Sequence, residues 1–172
     1  LRSIAPAPPW ITSDQGFVTK TSPYGAAPPI NPISLAIIAG ASLVSRGFAG
    51  DIGHLAGLIK AGITHKGFAL NDILQPCVSF NHVNTFSWYR ERVYKVEEEA
   101  GYDPTNRTLA LAKAQEWGKR IPIGVIYKQD SPTYEEQIPA LSKGPLVRQK
   151  IEPLRVEKLM DEGLVSDISD IF

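Results

Sequence analysis

The chain has 172 residues, 43% of them hydrophobic and 21% charged, which is the size and composition of one ordinary globular domain. Eighteen basic residues balance eighteen acidic ones, so the usual electrostatic case for a nucleic-acid or anionic-membrane partner is absent. The longest apolar stretch, Ile33 to Val44, is interrupted by Ser34, Gly40 and Ser42 and falls short of the ~20 residues that span a bilayer.

Residues 1–31 are proline-rich, with Pro8-Pro9 and Pro28-Pro29 pairs and little periodicity, and read as an extended arm. Asn31-Pro32 reads as an N-cap followed by proline at the first helical position, predicting a short buried helix over Ile33–Ala39 that stops at Gly40. Ser42 to Ser45 reads as a brief strand ending at Arg46-Gly47. Asp51 is then an N-cap, and Ile52, Leu55, Ile59 and Ile63 recur at helical spacing along one face, with Lys66-Gly67 as the stop. Phe68 to Leu74 is apolar and of strand length. Strand, helix and strand with tight joints predict a βαβ unit in a parallel sheet covered on both faces.

Asn84-Thr85 offers a cap for a short helix through Trp88-Tyr89, and Arg90 to Glu99 is charged with no clear period. Asp103-Pro104 reads as the start of another helix, running past Leu109 and Ala112 to Gly118. Ile121 to Tyr127 is a last strand, placed near an edge because of Pro122. The chain thus divides into an arm (1–31), an α/β body (32–128) and a proline-punctuated, partly helical tail (129–172). It begins with Leu1 rather than Met, which reads as a fragment or a processed product.

Cys77, the only cysteine, follows the apolar run in Leu74-Gln75-Pro76-Cys77. It excludes an internal disulfide and, with no signal-peptide pattern, leaves the cytoplasm as the expected compartment. Ligands of open α/β sheets gather beyond the carboxyl ends of the strands, where this thiol must lie. Packing, nucleophile and metal ligand all stay open, and residue type alone favours packing. His54, His65 and His82 are too dispersed for a local zinc pattern, and the first two read as surface residues. Glu97-Glu98-Glu99 reads as a solvated face. Gly47 to Asp51 could hold an anion on helix-start amides, but reads first as a tight strand-to-helix turn. Phosphate-loop and serine-elbow motifs are absent from the sequence.

The ordered strings Gly47-Phe48 through Asp51, His54-Leu55, His65-Lys66-Gly67, Asp72 to Cys77, Trp88-Tyr89, Arg92 to Lys95, Glu116-Trp117-Gly118, Arg120 to Gly124 and Pro132 to Glu136 closely resemble the carboxyl-terminal half of the β subunit of 2-oxoacid:ferredoxin oxidoreductases, nearest to the 2-oxoglutarate type. The resemblance implies part of a thiamine-diphosphate-binding, doubly wound, mostly parallel sheet. It implies an enzyme that decarboxylates a 2-oxoacid on thiamine diphosphate and Mg2+, passes electrons through a 4Fe-4S cluster to ferredoxin, and delivers the acyl group to coenzyme A. Its α subunit, with γ as a further candidate, would be the structural partners, with neither nucleic acid nor membrane involved. The family's fourth cluster cysteine maps onto Cys77. The other three, and the Gly-Asp-Gly motif that holds magnesium and diphosphate, have no counterpart here, so this chain alone should be inactive, and no thiamine or substrate contact is assigned. The rival expectation is a non-catalytic α/β interaction or regulatory module derived from that subunit.

Overall fold

The computed structural model describes residues 30–79 and 81–149, together with Val18. The expected arm therefore lies almost wholly outside the described residues, as do residues 150–172 of the tail. One compact unit runs to Tyr134, and a second begins at Glu135. In the second, three 3-10 turns are formed by Glu135–Gln137, Pro139–Leu141 and Leu146–Arg148, and the Gln149 amide closes it by donating to the Ala140 and Gly144 carbonyls.

In the first unit, helix α1 spans Pro32–Ile38. The Asn31 side chain accepts from Ser34 N–H, Pro32 occupies the first turn, and Gly40 adopts a φ of 90° after the last turn, all as the sequence predicts. Strand β1 covers Leu43–Phe48 and is buried along its whole length. It is longer than expected, because Arg46 continues the strand instead of ending it: its Nε donates to Asp72 Oδ2 at 2.9 Å, so the charge enters the interior paired. Helix α2 spans Ile52–Thr64, capped by the Asp51 carboxylate accepting from His54 N–H. Strand β2, Ala69–Leu74, then pairs in parallel with β1, register Leu43 to Ala69 through Phe48 to Leu74. The βαβ unit is present.

Three expectations need correction here. The apolar face of α2 is largely uncovered: Ile52 and Ile63 are 78% and 79% exposed, and Leu58 is the buried position. Of the predicted face Leu55 does meet the sheet, close against Gly47, where a side chain would strike Leu55 Cδ1 at 2.6 Å. Helix α4 spans Arg107–Ala114, later than Asp103-Pro104, because Asn106 takes the cap by accepting from Thr108 and Leu109 N–H. Asp103 is spent on a local turn with Thr105. Strand β4, Ile121–Lys128, is central and not at an edge.

The sheet order is β2-β1-β4-β3, with β3 at Val93–Lys95. The β1/β2 and β3/β4 pairs are parallel and β1/β4 is antiparallel, with a register shift between Val44 and Ser45. Pro122 is tolerated in the middle because β1 pairs with β4 only as far down as Gly124, so no β1 rung needs its missing N–H. Two apolar clusters fill the unit. One joins α1 and α4 to Val44, Ile126 and Tyr127; the other joins Phe48, Leu74, Ile121 and Ile123 to helix α3, Phe86–Arg90, whose Thr85 cap matches expectation.

Candidate functional site

The site is the sheet end where β1 and β2 finish and β3 and β4 begin, a coincidence that the antiparallel β1/β4 pairing dictates. Leu74 is fully buried beside its register partner Phe48, and its carbonyl accepts from Ala49 N–H at 3.0 Å. Pro76 is buried and Cys77 is exposed. Within this chain the thiol is therefore not part of either apolar cluster.

The loop that presents Cys77 is knitted by short-range bonds. The Cys77 carbonyl accepts from Asn81 N–H at 3.1 Å. Asn81 Oδ1 in turn accepts from Val83 and Asn84 N–H at 3.0 and 2.9 Å, and its Nδ2 donates to Asn84 Oδ1. Thr85 then caps α3, so the chain returns to the sheet at once. The same sheet end has an aromatic floor, with Phe48 6.0 Å from Phe86 and 5.8 Å from Tyr89 between ring centres. Such ring pairs add specificity of position to the burial of their area.

Phe48 also explains the turn that follows it. Asp51 N–H donates to the Phe48 carbonyl, and a side chain at Gly50 would fall on the Phe48 ring. The Asp51 carboxylate itself occupies the start of α2, so the amides that could greet an anion already have one. The Gly47 to Asp51 segment is thus a tight turn. Asp51 is held below its ordinary carboxyl range first by the His54 N–H bond and then by Lys95, 3.1 Å away. An open cleft of about 570 Å³ lies alongside, lined by Gly50, Asp51, Arg90, Lys95 and Glu98.

His54 and His65, expected at the surface, are half-buried, while His82 is exposed. His65 Nε2 is 2.8 Å from Ser42 Oγ, and His54 packs with Nε2 3.7 Å from a Glu97 carboxylate oxygen. Nor is the acidic run simply solvated: Glu97 accepts from Val125 N–H at 3.1 Å, and Glu99 pairs with Lys113 at 2.7 Å. Lys113 anchors a network that sequence reasoning missed. It donates to Tyr94 Oη, Glu99 and Glu116, and Tyr94 Oη donates to Glu116 at 2.5 Å. Burial works against the Lys113 charge and against the Glu116 charge, yet these bonds outweigh it, raising the first group's pKa and lowering the second's. The Arg46–Asp72 pair, with the guanidinium 5.6 Å from the centre of the Trp117 ring, was missed as well; an arginine inside an apolar strand was the available signal.

Among the described residues no group of three or more His, Cys, Asp or Glu could hold a metal ion. A four-iron cluster needs four thiolates in the common case, and the sequence has one cysteine. The residues present fit one ligand of such a group and no more.

A family described as the carboxyl-terminal part of the pyruvate ferredoxin oxidoreductase β subunit matches residues 77–143, starting on Cys77 itself. The β subunit of a 2-oxoacid:ferredoxin oxidoreductase from Sulfolobus sp is 43% identical over 151 residues, covering 82% of this chain and 48% of the relative. The 2-oxoglutarate oxidoreductase subunit KorB of Mycobacterium tuberculosis is 42% identical over 91 residues, 49% of this chain and 24% of the relative. Among solved structures, a 2-oxoglutarate:ferredoxin oxidoreductase from Magnetococcus marinus, with 2-oxoglutarate, coenzyme A and succinyl-CoA bound, superimposes with a TM-score of 0.71 at 28% identity, covering 88% of this chain and 50% of that one. The chain spans about half the length of the Sulfolobus relative and of the Magnetococcus marinus chain, and less of KorB.

Proposed function

Because the chain belongs with the β subunits of 2-oxoacid:ferredoxin oxidoreductases, we propose that it contributes Cys77 as one thiolate ligand of a 4Fe-4S cluster in an enzyme that oxidatively decarboxylates a 2-oxoacid to an acyl-CoA. The observation that carries this reading is an exposed thiol at the carboxyl end of a parallel strand, on a loop that short bonds hold in place. Substrate and acceptor follow from the relatives' names: a 2-oxoacid, with 2-oxoglutarate favoured by the KorB and Magnetococcus marinus matches, ferredoxin for the electrons, and coenzyme A for the acyl group. That the relatives are oxidoreductase subunits favours this over a non-catalytic module.

The cluster, when bound, carries electrons singly from the oxidised substrate to the carrier. This chain's residues do the positioning. A thiolate is a soft ligand suited to iron, and buried Pro76 restricts the backbone that aims it. Phe48, Leu74 and Tyr89 give this sheet end an apolar base, and exclusion of water is one of the means by which a protein sets a cluster's potential. Thiamine diphosphate, Mg2+ and the other three thiolates are assigned to the rest of the subunit, with an α subunit, and γ where one occurs, completing the assembly. The cytoplasm is the proposed compartment; among the described residues no helix is long and apolar enough to cross a membrane.

The test is Cys77→Ser in the assembled enzyme, purified without oxygen. The expected result is loss or marked weakening of the broad visible absorbance and of the reduced-cluster spin signal. Unchanged cluster content and redox behaviour would sink the assignment.

A further inference from the structure

We propose that Arg90, Arg92, Lys119 and Arg120 form a docking rim for a small, carboxylate-rich iron-sulfur electron carrier at the sheet end that bears Cys77. The proposal rests on Cys77 being a cluster ligand, since only then does an electron leave at this end.

The placement follows from the topology. Strands β1 and β2 finish where β3 and β4 start, so the residues just before β3 and β4 lie at the same end of the sheet as the Cys77 loop, with β2 and β3 as its two outer strands. Ile121 N–H donates to the Arg92 carbonyl at 2.9 Å, which sets Arg92 and Arg120 side by side. Arg90 lines the cleft next to Gly50, and its neighbour Tyr89 packs on Phe48, the register partner of Leu74. A carrier seated on this rim is next to Phe48 and Tyr89, at the sheet end from which the Cys77 loop leaves.

The charges are also built to be met. The Arg92 guanidinium lies 4.4 Å from the centre of the Trp88 ring and donates to the Trp88 carbonyl at 2.8 Å; that of Arg120 lies 4.1 Å from the centre of Tyr94. Ring stacking holds both planar groups before a partner arrives, which reduces the ordering cost of docking, and the guanidinium fork matches carboxylates. Arg90, Lys119 and Arg120 are exposed. Glu91, 3.2 Å from Arg92, offsets one charge, while Glu116 is already engaged by Lys113 at 2.7 Å and Asp51 by Lys95 at 3.1 Å. With exposed Glu98 also lining the Arg90 cleft, the four cations of the rim stand against Glu91 and Glu98 and keep an excess of positive charge, an arrangement that steers an acidic partner and sets its orientation.

The experiment uses the intact enzyme and compares reduction of purified ferredoxin with reduction of methyl viologen, a small dye that needs no docking surface. With Arg92→Glu/Arg120→Glu, the ratio of the ferredoxin-linked to the viologen-linked kcat/KM should fall roughly tenfold or more, because charge reversal at a rim acts on association. Lys119→Glu alone should move the ratio in the same direction by a smaller factor, and added salt should lower the wild-type ratio as exposed charges are screened. An unchanged ratio in both variants overturns the proposal. So does a parallel fall of both rates, which would mark the rim as a contact with another subunit. Failure of the cluster assignment shows separately, as cluster content that Cys77→Ser leaves intact.

Discussion

Removing one member of the Arg46–Asp72 pair should cost far more than removing both. The guanidinium side chain is 3% exposed and the carboxylate 10%, with Nε and Oδ2 2.9 Å apart, so neither charge can recover its hydration if the other is lost. Breaking such a pair costs ~3–5 kcal/mol because an uncompensated charge stays inside. Asp72→Asn, which strands the more deeply buried arginine, should fall in that range; Arg46→Met, which strands the carboxylate nearer to solvent, at its lower end. Independent effects would give the double variant Arg46→Met/Asp72→Leu a loss of about 6 kcal/mol or more, the sum of two such breakages. The expected loss is instead about 2 kcal/mol or less, because paired apolar replacement of a buried ion pair is often close to neutral. A further gain comes from the arginine itself: its Nη1 is buried without a hydrogen-bond partner, a penalty of ~1–3 kcal/mol that methionine abolishes, against about 1 kcal/mol of lost attraction to the Trp117 ring. Guanidinium titration of the four proteins, followed by tryptophan fluorescence, gives the cycle. Additive losses would refute the buried-pair reasoning.

Three further outcomes concern Gly124, Tyr102 and the exposed face of α2. Gly124 has a φ of 119° and a side chain there would fall on the Glu97 carboxylate, whereas Gly101, φ 80°, faces open space; Gly124→Ala should therefore lower Tm clearly more than Gly101→Ala, whose cost is about 1–2 kcal/mol of backbone strain. Equal shifts would show that the Glu97 contact is immaterial. Burial pushes the Tyr102 hydroxyl from 10.0 to about 12, so its contribution is complete below pH 10 and is lost as pH rises toward 12, the unfolded chain ionising first. Tyr102→Phe should flatten the alkaline fall in stability, and an unaltered slope would contradict this. Ile52→Lys/Ile63→Lys should change the stability of the chain by only about 0.5 kcal/mol per site, since both side chains are some four-fifths exposed, while raising its solubility; a large destabilisation would mean that the face of α2 is covered after all.

The parts of the fold legible in the sequence are those decided by neighbours along the chain. Asn31, Asp51 and Thr85 cap helices because a short polar side chain reaches an amide two or three residues on, an interaction that needs no tertiary context. Asp103 shows the limit of that rule: the same residue type closed a turn, and Asn106 was the competitor that took the helix. What was not legible depends on distant partners. Nothing near Arg46 announces Asp72 26 residues on, nor does the run Glu97 to Glu99 announce Lys113 and Val125. Helical periodicity identified α2 but could not say which face would be covered, since an apolar stripe records only that some surface is suited to burial. Pro122 pointed to an edge because the rule concerns lost rungs, and only the register with β1 shows that no rung was at stake. For the candidate site, the strand ending at Leu74 places Cys77 just past its carboxyl end as the apolar run predicts, whereas the aromatic floor of that sheet end is assembled from β1, β2, α3, β3 and β4 and has no local signature.

The sheet is two short-range parallel pairs joined along a single seam. β1 meets β2 across a loop of about 26 residues and β3 meets β4 across about 28, but β1 meets β4 only after about 80 have been gathered in. Lengthening a closed loop from the first span to the last costs about 1 kcal/mol in chain entropy, and it delays the contact more than it weakens it. Each pair can thus form from nearby chain, and the β1/β4 ladder is the stitch between two finished pieces. Cys77 hangs from one piece, and Arg92, Lys119 and Arg120 from the other. The spacing between thiol and cations is accordingly fixed by neither piece alone but by how that ladder zips, and its register shift at Val44 and Ser45 helps set the distance between them.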